Sequence, residues 1–214
     1  MDVILFGPPG AGKGTQAVAV CNTVGVPHVS TGDIFRRHLR EGTELGLLAK
    51  SFMSKGELVP DETVVEIVGT RLSEPDAAGG VLFDGFPRTV NQAVLLDGWL
   101  RARGRKVDVV VNLVVPDEVV HARLSGRRSC LSCGASYHLL HLPPAVDGVC
   151  DRCGAAVVQR DDDSDDTVWR RLETYHSQTA PVLEWARSSC RVVDVDANQA
   201  ISDVRLAVVA ALSS

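Results

Sequence analysis

Val3-Ile4-Leu5-Phe6-Gly7-Pro8-Pro9-Gly10-Ala11-Gly12-Lys13-Gly14-Thr15 is the stretch on which the fold turns. Four consecutive apolar residues predict a short buried strand, and the glycine-rich run predicts a tight turn after it. Glycine accepts backbone angles that other residues resist and carries no Cβ. Successive N–H groups of such a turn can therefore point inward at one anion. From Lys13 to Val24 apolar residues recur at helical spacing, which aims the positive end of a helix at the same spot. Lys13 adds a movable point charge. The arrangement predicts a phosphate cradle built from Gly10, Ala11, Gly12, Lys13, Gly14 and Thr15. The bland alternative is a strand-to-helix turn with a surface lysine. Position 14 is glycine where Ser or Thr is usual, and the hydroxyl comes one residue later. Mg²⁺ is then expected to be held by phosphates, water and a carboxylate elsewhere, which favours small phosphotransfer enzymes over GTPases and motors.

The 214 residues suit one large domain, or a core carrying inserts. A hydrophobic content of 45% supports a sizeable core. Net charge is −5, which argues against a nucleic-acid or anionic-membrane partner and requires any anion site to be a local cluster of cations. No apolar run approaches the ~18 residues of a membrane span. The chain enters a strand almost at once, leaving no room for a secretion leader, so a cytoplasmic protein with reduced thiols is expected.

Apolar runs at Val3–Phe6, His28–Ser30, Gly80–Phe83, Val107–Val115 and Arg191–Val195 read as strands. Helical patterns lie between them, which predicts an α/β fold with a parallel sheet wrapped on both faces. Two stretches read as inserts. Residues 30–59 hold short helices at Gly32–Glu41 and Glu44–Lys55, before a fresh helix start at Pro60-Asp61. Residues 126–163 have no helical period and too little apolar content for a core of their own, so they need a staple.

Four cysteines supply one. Cys130-x-x-Cys133 and Cys150-x-x-Cys153 are separated by sixteen residues, the spacing of a two-knuckle metal site. Four thiolates close a tetrahedron with no open position, so the metal holds structure and does no chemistry. Zinc binding can supply roughly 10 kcal/mol of folding free energy to such a segment. Spacing alone does not separate Zn²⁺ from a mononuclear iron, and two disulfides are the alternative for a secreted chain. Cys21 and Cys190 sit in apolar contexts and read as buried and inert.

Val81-Leu82-Phe83-Asp84 ends a strand on a carboxylate, either a Mg²⁺-side aspartate or a turn cap. Gly85-Phe86-Pro87-Arg88 then presents an arginine at the sheet's C-terminal edge, where open α/β sheets bind ligands. Arg36 lies in the first insert; Arg123 and Arg127 precede the cysteines, and Arg160 and Arg171 follow them. The acidic run Asp161–Asp163 with Asp165 and Asp166 reads either as a solvated helix start or as partners for these arginines. No Ser-His-Asp set or nucleophilic cysteine stands out. A nucleotide phosphate, with a second pKa of about 6, arrives largely dianionic and needs no base.

With GPPGAGKGTQ at 7–16, STGDIFR at 30–36, DGFPRT at 84–89, GRR at 126–128, the four cysteines and RDDD at 160–163, the chain resembles bacterial adenylate kinases of the zinc-containing, long-lid type almost end to end. The resemblance implies a P-loop three-layer sandwich with a five-stranded parallel sheet. The core would comprise 1–29, 60–125 and 164–214, with an AMP-binding insert at 30–59 and a lid at 126–163. It implies a structural Zn²⁺ on Cys130, Cys133, Cys150 and Cys153, Mg²⁺ arriving with ATP, and a monomer converting ATP and AMP into ADP. Lys13, Asp84, Arg88, Arg123, Arg127, Arg160 and Arg171 would be the catalytic set. On the ATP side, Arg123, Arg127, Ser136, Tyr137 and Gln199 would join the residue 10–15 cradle. On the AMP side, Thr31, Arg36, the Glu57-Leu58-Val59 backbone, Gly85, Phe86, Pro87, Arg88, Arg160 and Arg171 would contribute, with Gln92 reading the adenine edge. The Phe86-Pro87 bond is expected to be cis. Trp169 departs from the usual Arg or Lys and is expected to pack at the lid hinge. A kinase for UMP/CMP or GMP, and a non-catalytic nucleotide-switched zinc module, are the competing readings.

Overall fold

The computed structural model describes residues 1–213. The strands are β1 Val3–Phe6, β2 His28–Ser30, β3 Leu82–Asp84, β4 Val109–Val114, β5 Arg127–Cys130, β6 Ser136–His138, β7 Val157–Val158 and β8 Arg191–Asp196. The helices are α1 Lys13–Val24, α2 Thr31–Arg40, α3 Glu44–Met53, α4 Asp61–Leu72, α5 Val90–Arg101, α6 Asp117–Ser125, α7 Asp165–Thr174, α8 Val182–Ser189 and α9 Ile201–Ser213. Five strands form one parallel sheet in the order β2-β3-β1-β4-β8.

Side chains alternate across a strand, and β1 shows the result. Val3 and Leu5 belong to one buried cluster with Val20, Val120, Val168 and Val208. Ile4 and Phe6 belong to another with Val64, Val68, Leu96 and Leu100. Buried on both faces, the strand can be apolar throughout, as its sequence is. Fully burying each such side chain contributes about 1.5–3 kcal/mol.

The five expected strands are present with small shifts. β3 starts at Leu82, not Gly80, because the Val81 N–H bonds to the Asp2 carboxylate and Gly80 turns against Met1 with φ +129°. β4 loses two residues at its start and one at its end. Helices α2 and α3 fall within two residues of the expected spans. Ser30, Thr43 and Thr89 cap α2, α3 and α5, each accepting an N–H from the residue three further on.

Residues 126–163 correct the sequence expectation. They form an antiparallel sheet in the order β6-β5-β7, with a small buried cluster of Cys130, Ala135, Tyr137, Cys150 and Val157. Strands of two to four residues carry no legible period, and two of the five cluster members are cysteines of the knuckles. Trp169 of α7 stacks on His121 of α6, ring centroids 4.9 Å apart, joining the two helices that flank this segment.

At the N-terminal end of the sheet Asp2, 2% exposed, receives Arg105 through Nη2 at 2.6 Å and Nε at 2.9 Å. The remaining Arg105 nitrogen donates to the Ala77 carbonyl. Donors and acceptors balance there, and the charge is closed on itself.

Candidate functional site

At the opposite, C-terminal end of the sheet lies a cleft of about 880 Å³. Its floor is the turn between β1 and α1. Gly7 has φ +133°, and a Cβ there would sit 2.6 Å from the Leu113 carbonyl oxygen. Gly12 caps α1 at φ +99°, a left-handed angle that favours glycine. Unlike α2, α3 and α5, α1 has no side-chain cap, and unlike α2 and α3 it has no acidic residue in its first turn. Its first N–H groups have no carbonyl one turn behind them, so they face the cleft as open donors.

Cations ring this floor. Lys13, Arg36, Arg88, Arg123, Arg127, Arg160 and Arg171 line the cleft, against Asp33, Glu57, Asp84 and Asp162. The excess is positive in a chain whose net charge is −5. Lys13 folds back on its own turn, donating to the Gly7 carbonyl at 2.7 Å and the Pro8 carbonyl at 2.8 Å. Arg88 Nε donates to the Gly85 carbonyl, Arg123 to the Ala197 carbonyl and Arg160 to the Ser129 hydroxyl. These partners are neutral oxygens, and the nearby carboxylates of Asp84, Asp162 and Asp163 offset the charge only in part. Burial lowers the Lys13 pKa to about 8, and repulsion from Arg88, Arg171 and Arg127 adds to it while Asp84 opposes. Burial and then neighbouring guanidiniums push Arg88 and Arg160 in the same direction. A polyanion would reverse every one of these shifts.

Three arginines are paired: Arg36 with the Asp33 carboxylate at 2.7 Å, and Arg127 and Arg171 with the acidic run. Asp163, fully buried, accepts both Nε and Nη2 of Arg127 at 2.7 and 2.6 Å, and also Nη1 of Arg171 at 2.9 Å. Arg171 also reaches Asp162, through its carbonyl at 2.8 Å and its carboxylate at 3.1 Å. Burial raises the Asp162 carboxyl, but the surrounding guanidiniums outweigh it and hold it low. Of the two readings of the acidic run, arginine pairing holds for Asp162 and Asp163, and the helix start for Asp165 and Asp166. Asp84, at the end of β3, meets His28 Nε2 at 3.2 Å and lies 3.8 Å from where a Gly14 Cβ would stand.

The other expected residues divide into two groups. Gly10 to Thr15, Glu57, Leu58, Gly85 to Arg88, Ser136, Tyr137 and Gln199 line the cleft. Thr31, Val59 and Gln92 lie behind it. Thr31 braces the turn by donating to the Gly85 carbonyl at 2.8 Å. Gln92, 1% exposed, is bonded on both sides of its amide, to Asp61 and to the Arg88 N–H. Gln199 donates to Asp196, and Tyr137 turns its hydroxyl to Cys150. The Phe86-Pro87 bond is cis. Cys21 and Cys190 are half-buried, with thiol pKa values raised by burial.

The cysteine square is assembled. The four Sγ atoms lie within 4.8 Å of one another. The shortest separations, 3.5 Å, are far beyond an S–S bond of about 2.05 Å, so the disulfide alternative is excluded here. The Tyr137 hydroxyl, 3.3 Å from Cys150 Sγ, lowers that thiol's pKa and favours the thiolate a metal requires. All six cysteines are free.

A phosphate nest, a surplus of guanidiniums above it and a four-sulfur square beside it coincide in one chain whose sequence matches the "Adenylate kinase" family profile over residues 5–190. The chain belongs to the adenylate kinase family. It is 49% identical to the adenylate kinase of Lachnospira eligens over 209 residues, 98% of each chain. Against that of Thermoanaerobacter pseudethanolicus the identity is 50% over 204 residues, 95% of this chain and 94% of the other. Against that of Acetivibrio thermocellus it is 47% over 213 residues, 100% and 98%. Adenylate kinases are phosphotransferases, and both family and fold agree with the sequence reading.

Sequence reasoning missed His28 and Asp61. Each matters through a partner distant in the chain, brought near by the pairing of β2 with β3 for His28 and by the approach of α4 to the start of α5 for Asp61.

Proposed function

We propose that the cleft carries out Mg·ATP + AMP ⇌ 2 ADP, with the triphosphate on the α1 turn and the monophosphate between Arg36, Arg88 and the 85–88 turn. The observation that carries this reading is the uncapped, acid-free N-terminus of α1 beneath unpaired Lys13, Arg88 and Arg160. The AMP phosphate dianion attacks the terminal phosphorus of ATP; the bond to the bridging oxygen breaks, and both products are ADP. No proton has to be removed. The barrier is the approach of two anions, a repulsion of about 4 kcal/mol per unit-charge pair at 4 Å and an effective dielectric near 20. Lys13 and the arginine forks offset it and hold the reacting oxygens in line. Asp163 keeps Arg127 and Arg171 aimed, and Asp84 is the carboxylate suited to Mg²⁺. Mg²⁺, when bound, neutralises charge on the transferring phosphates.

Residues 30–59 act in this reading as the AMP-binding insert and 126–163 as a lid that excludes water. Zn²⁺ on Cys130, Cys133, Cys150 and Cys153 supplies the lid's structure; the reduced, converging thiols support it. Among the described residues no helix is long and apolar enough to cross a membrane, and we place the enzyme in the cytoplasm as a monomer.

The test is ADP formation from ATP with AMP, CMP, UMP and GMP in turn. AMP should be preferred by at least tenfold. Equal or better turnover of another monophosphate would replace this reading, and no turnover would leave a nucleotide-binding module.

A further inference from the structure

Asp61 is the first residue of α4 and directly follows the Glu57–Pro60 segment that borders the monophosphate side. Its carboxylate reaches across thirty residues of sequence to the start of α5. Oδ1 accepts from Gln92 Nε2 at 2.7 Å, and Oδ2 accepts from Thr89 Oγ1 and Asn91 Nδ2, each at 2.9 Å. Thr89 Oγ1 in turn accepts the Gln92 N–H at 3.1 Å, so the cap of α5 is tied into the same carboxylate. On the far side of the Gln92 amide, Oε1 accepts the Arg88 N–H at 2.8 Å.

We infer that Asp61 is a positioning residue that fixes the orientation of the Gln92 amide and so sets which purine is accepted. The inference rests on the proposed function, with Gln92 meeting the base of the monophosphate as the family resemblance implies. A carboxylate can only accept and a backbone N–H can only donate, so the amide has one allowed orientation: nitrogen toward Asp61, oxygen toward Arg88. A flip would set oxygen against carboxylate and N–H against N–H inside a site where Gln92 is 1% exposed.

The amide has two N–H groups and two oxygen lone pairs, and one of each is used. What remains is one donor and one acceptor in fixed order. Adenine offers the complement, a ring-nitrogen acceptor beside the 6-amino donor. Hypoxanthine offers the reverse order, a 6-oxo acceptor beside the N1–H donor. A freely flipping amide would serve both bases; a locked one serves adenine.

The experiment measures kcat and KM for AMP and for inosine monophosphate, each with ATP, in the full-length zinc-loaded enzyme. Asp61→Ala should raise the AMP KM at least tenfold and cut the AMP-over-inosine-monophosphate preference in kcat/KM about tenfold, with the ATP KM within twofold. Asp61→Asn keeps an acceptor oxygen but can also turn its amide; it should fold, and should lose at least threefold of the preference. If Asp61→Ala does not fold, Asp61→Asn decides. Gln92→Ala, run beside them, separates the two levels. If Gln92→Ala loses the preference while both Asp61 variants keep it, the orienting role is overturned and the base-reading role of Gln92 stands. If Gln92→Ala keeps it too, both fall. AMP and ATP KM values rising equally in the Asp61 variants, with the preference unchanged, would leave Asp61 as a brace between α4 and α5 and also overturn the proposal.

Discussion

The two ends of the parallel sheet both gather charge, and they treat it oppositely. At the N-terminal end Asp2 and Arg105 meet in a bidentate pair, and the third guanidinium nitrogen finds a carbonyl. At the C-terminal end Lys13, Arg88, Arg123 and Arg160 bond neutral oxygens, and cations outnumber the carboxylates that line the cleft with them. A closed pair needs nothing from outside, so its removal should be felt in stability. A surplus needs a counter-charge, so its removal should be felt in turnover. The cysteine square is the mirror case, a set of potential anions whose balance must come from a cation.

The most forceful way to break this contrast is Lys13→Met. Turnover should fall by about 10³-fold or more while the melting temperature moves by no more than a few degrees. Steady-state rates and a thermal melt on the same sample decide, and a near-normal rate would end the argument for the cradle. Asp2→Ala tests the other end. Leaving Arg105 without its carboxylate should cost about 3 kcal/mol. For a chain of this size that is a melting shift of roughly 6–12 °C, with kcat near that of the parent when assayed well below melting. A rate loss without a stability loss would reverse the roles assigned to the two ends.

Cys150→Ala sharpens the mirror case. It should abolish stoichiometric zinc in elemental analysis and lower the melting temperature more than it lowers the low-temperature rate. An unchanged melt with unchanged zinc content would remove the square as a structural metal site. The smallest effect is one of pH. With Lys13 lowered to about 8 in the unliganded cleft, its ammonium is lost as pH rises through that value. kcat/KM for ATP should therefore fall about tenfold per unit above pH 8. Bound phosphates favour the charged amine, so the fall in kcat should begin at higher pH. A kcat/KM that stays flat to pH 9.5 would contradict the crowding argument.

The legible parts of the sequence were those whose physics is local. Val3–Phe6 announces a buried strand, Gly7–Thr15 a nest and Cys-x-x-Cys a knuckle, because each works through neighbours a few residues away. The expected strands therefore lie where they do, give or take two residues. The small antiparallel sheet within residues 126–163 was opaque, since strands as short as Val157–Val158 show no alternation. Asp2–Arg105, His28–Asp84 and Asp61–Gln92 were opaque for another reason. Their partners stand 103, 56 and 31 residues apart; the strand order makes the first two pairs neighbours, and the packing of α4 on α5 the third. The arginines around the cleft were found as a set, but which of them Asp163 restrains could be read only from geometry.

The surplus of cations above α1 also makes the cleft a general trap for multivalent anions. Sulfate, pyrophosphate and polyphosphate present the same tetrahedral oxygens as a nucleotide without its base, and they will settle where the amides converge. Buffer composition thus becomes a variable of the protein itself. Any such anion that binds the native fold and not the unfolded chain adds about 2.7 kcal/mol of stability at one hundred times its dissociation constant. Preparations in phosphate and in a zwitterionic buffer will differ in heat resistance before a substrate is ever added.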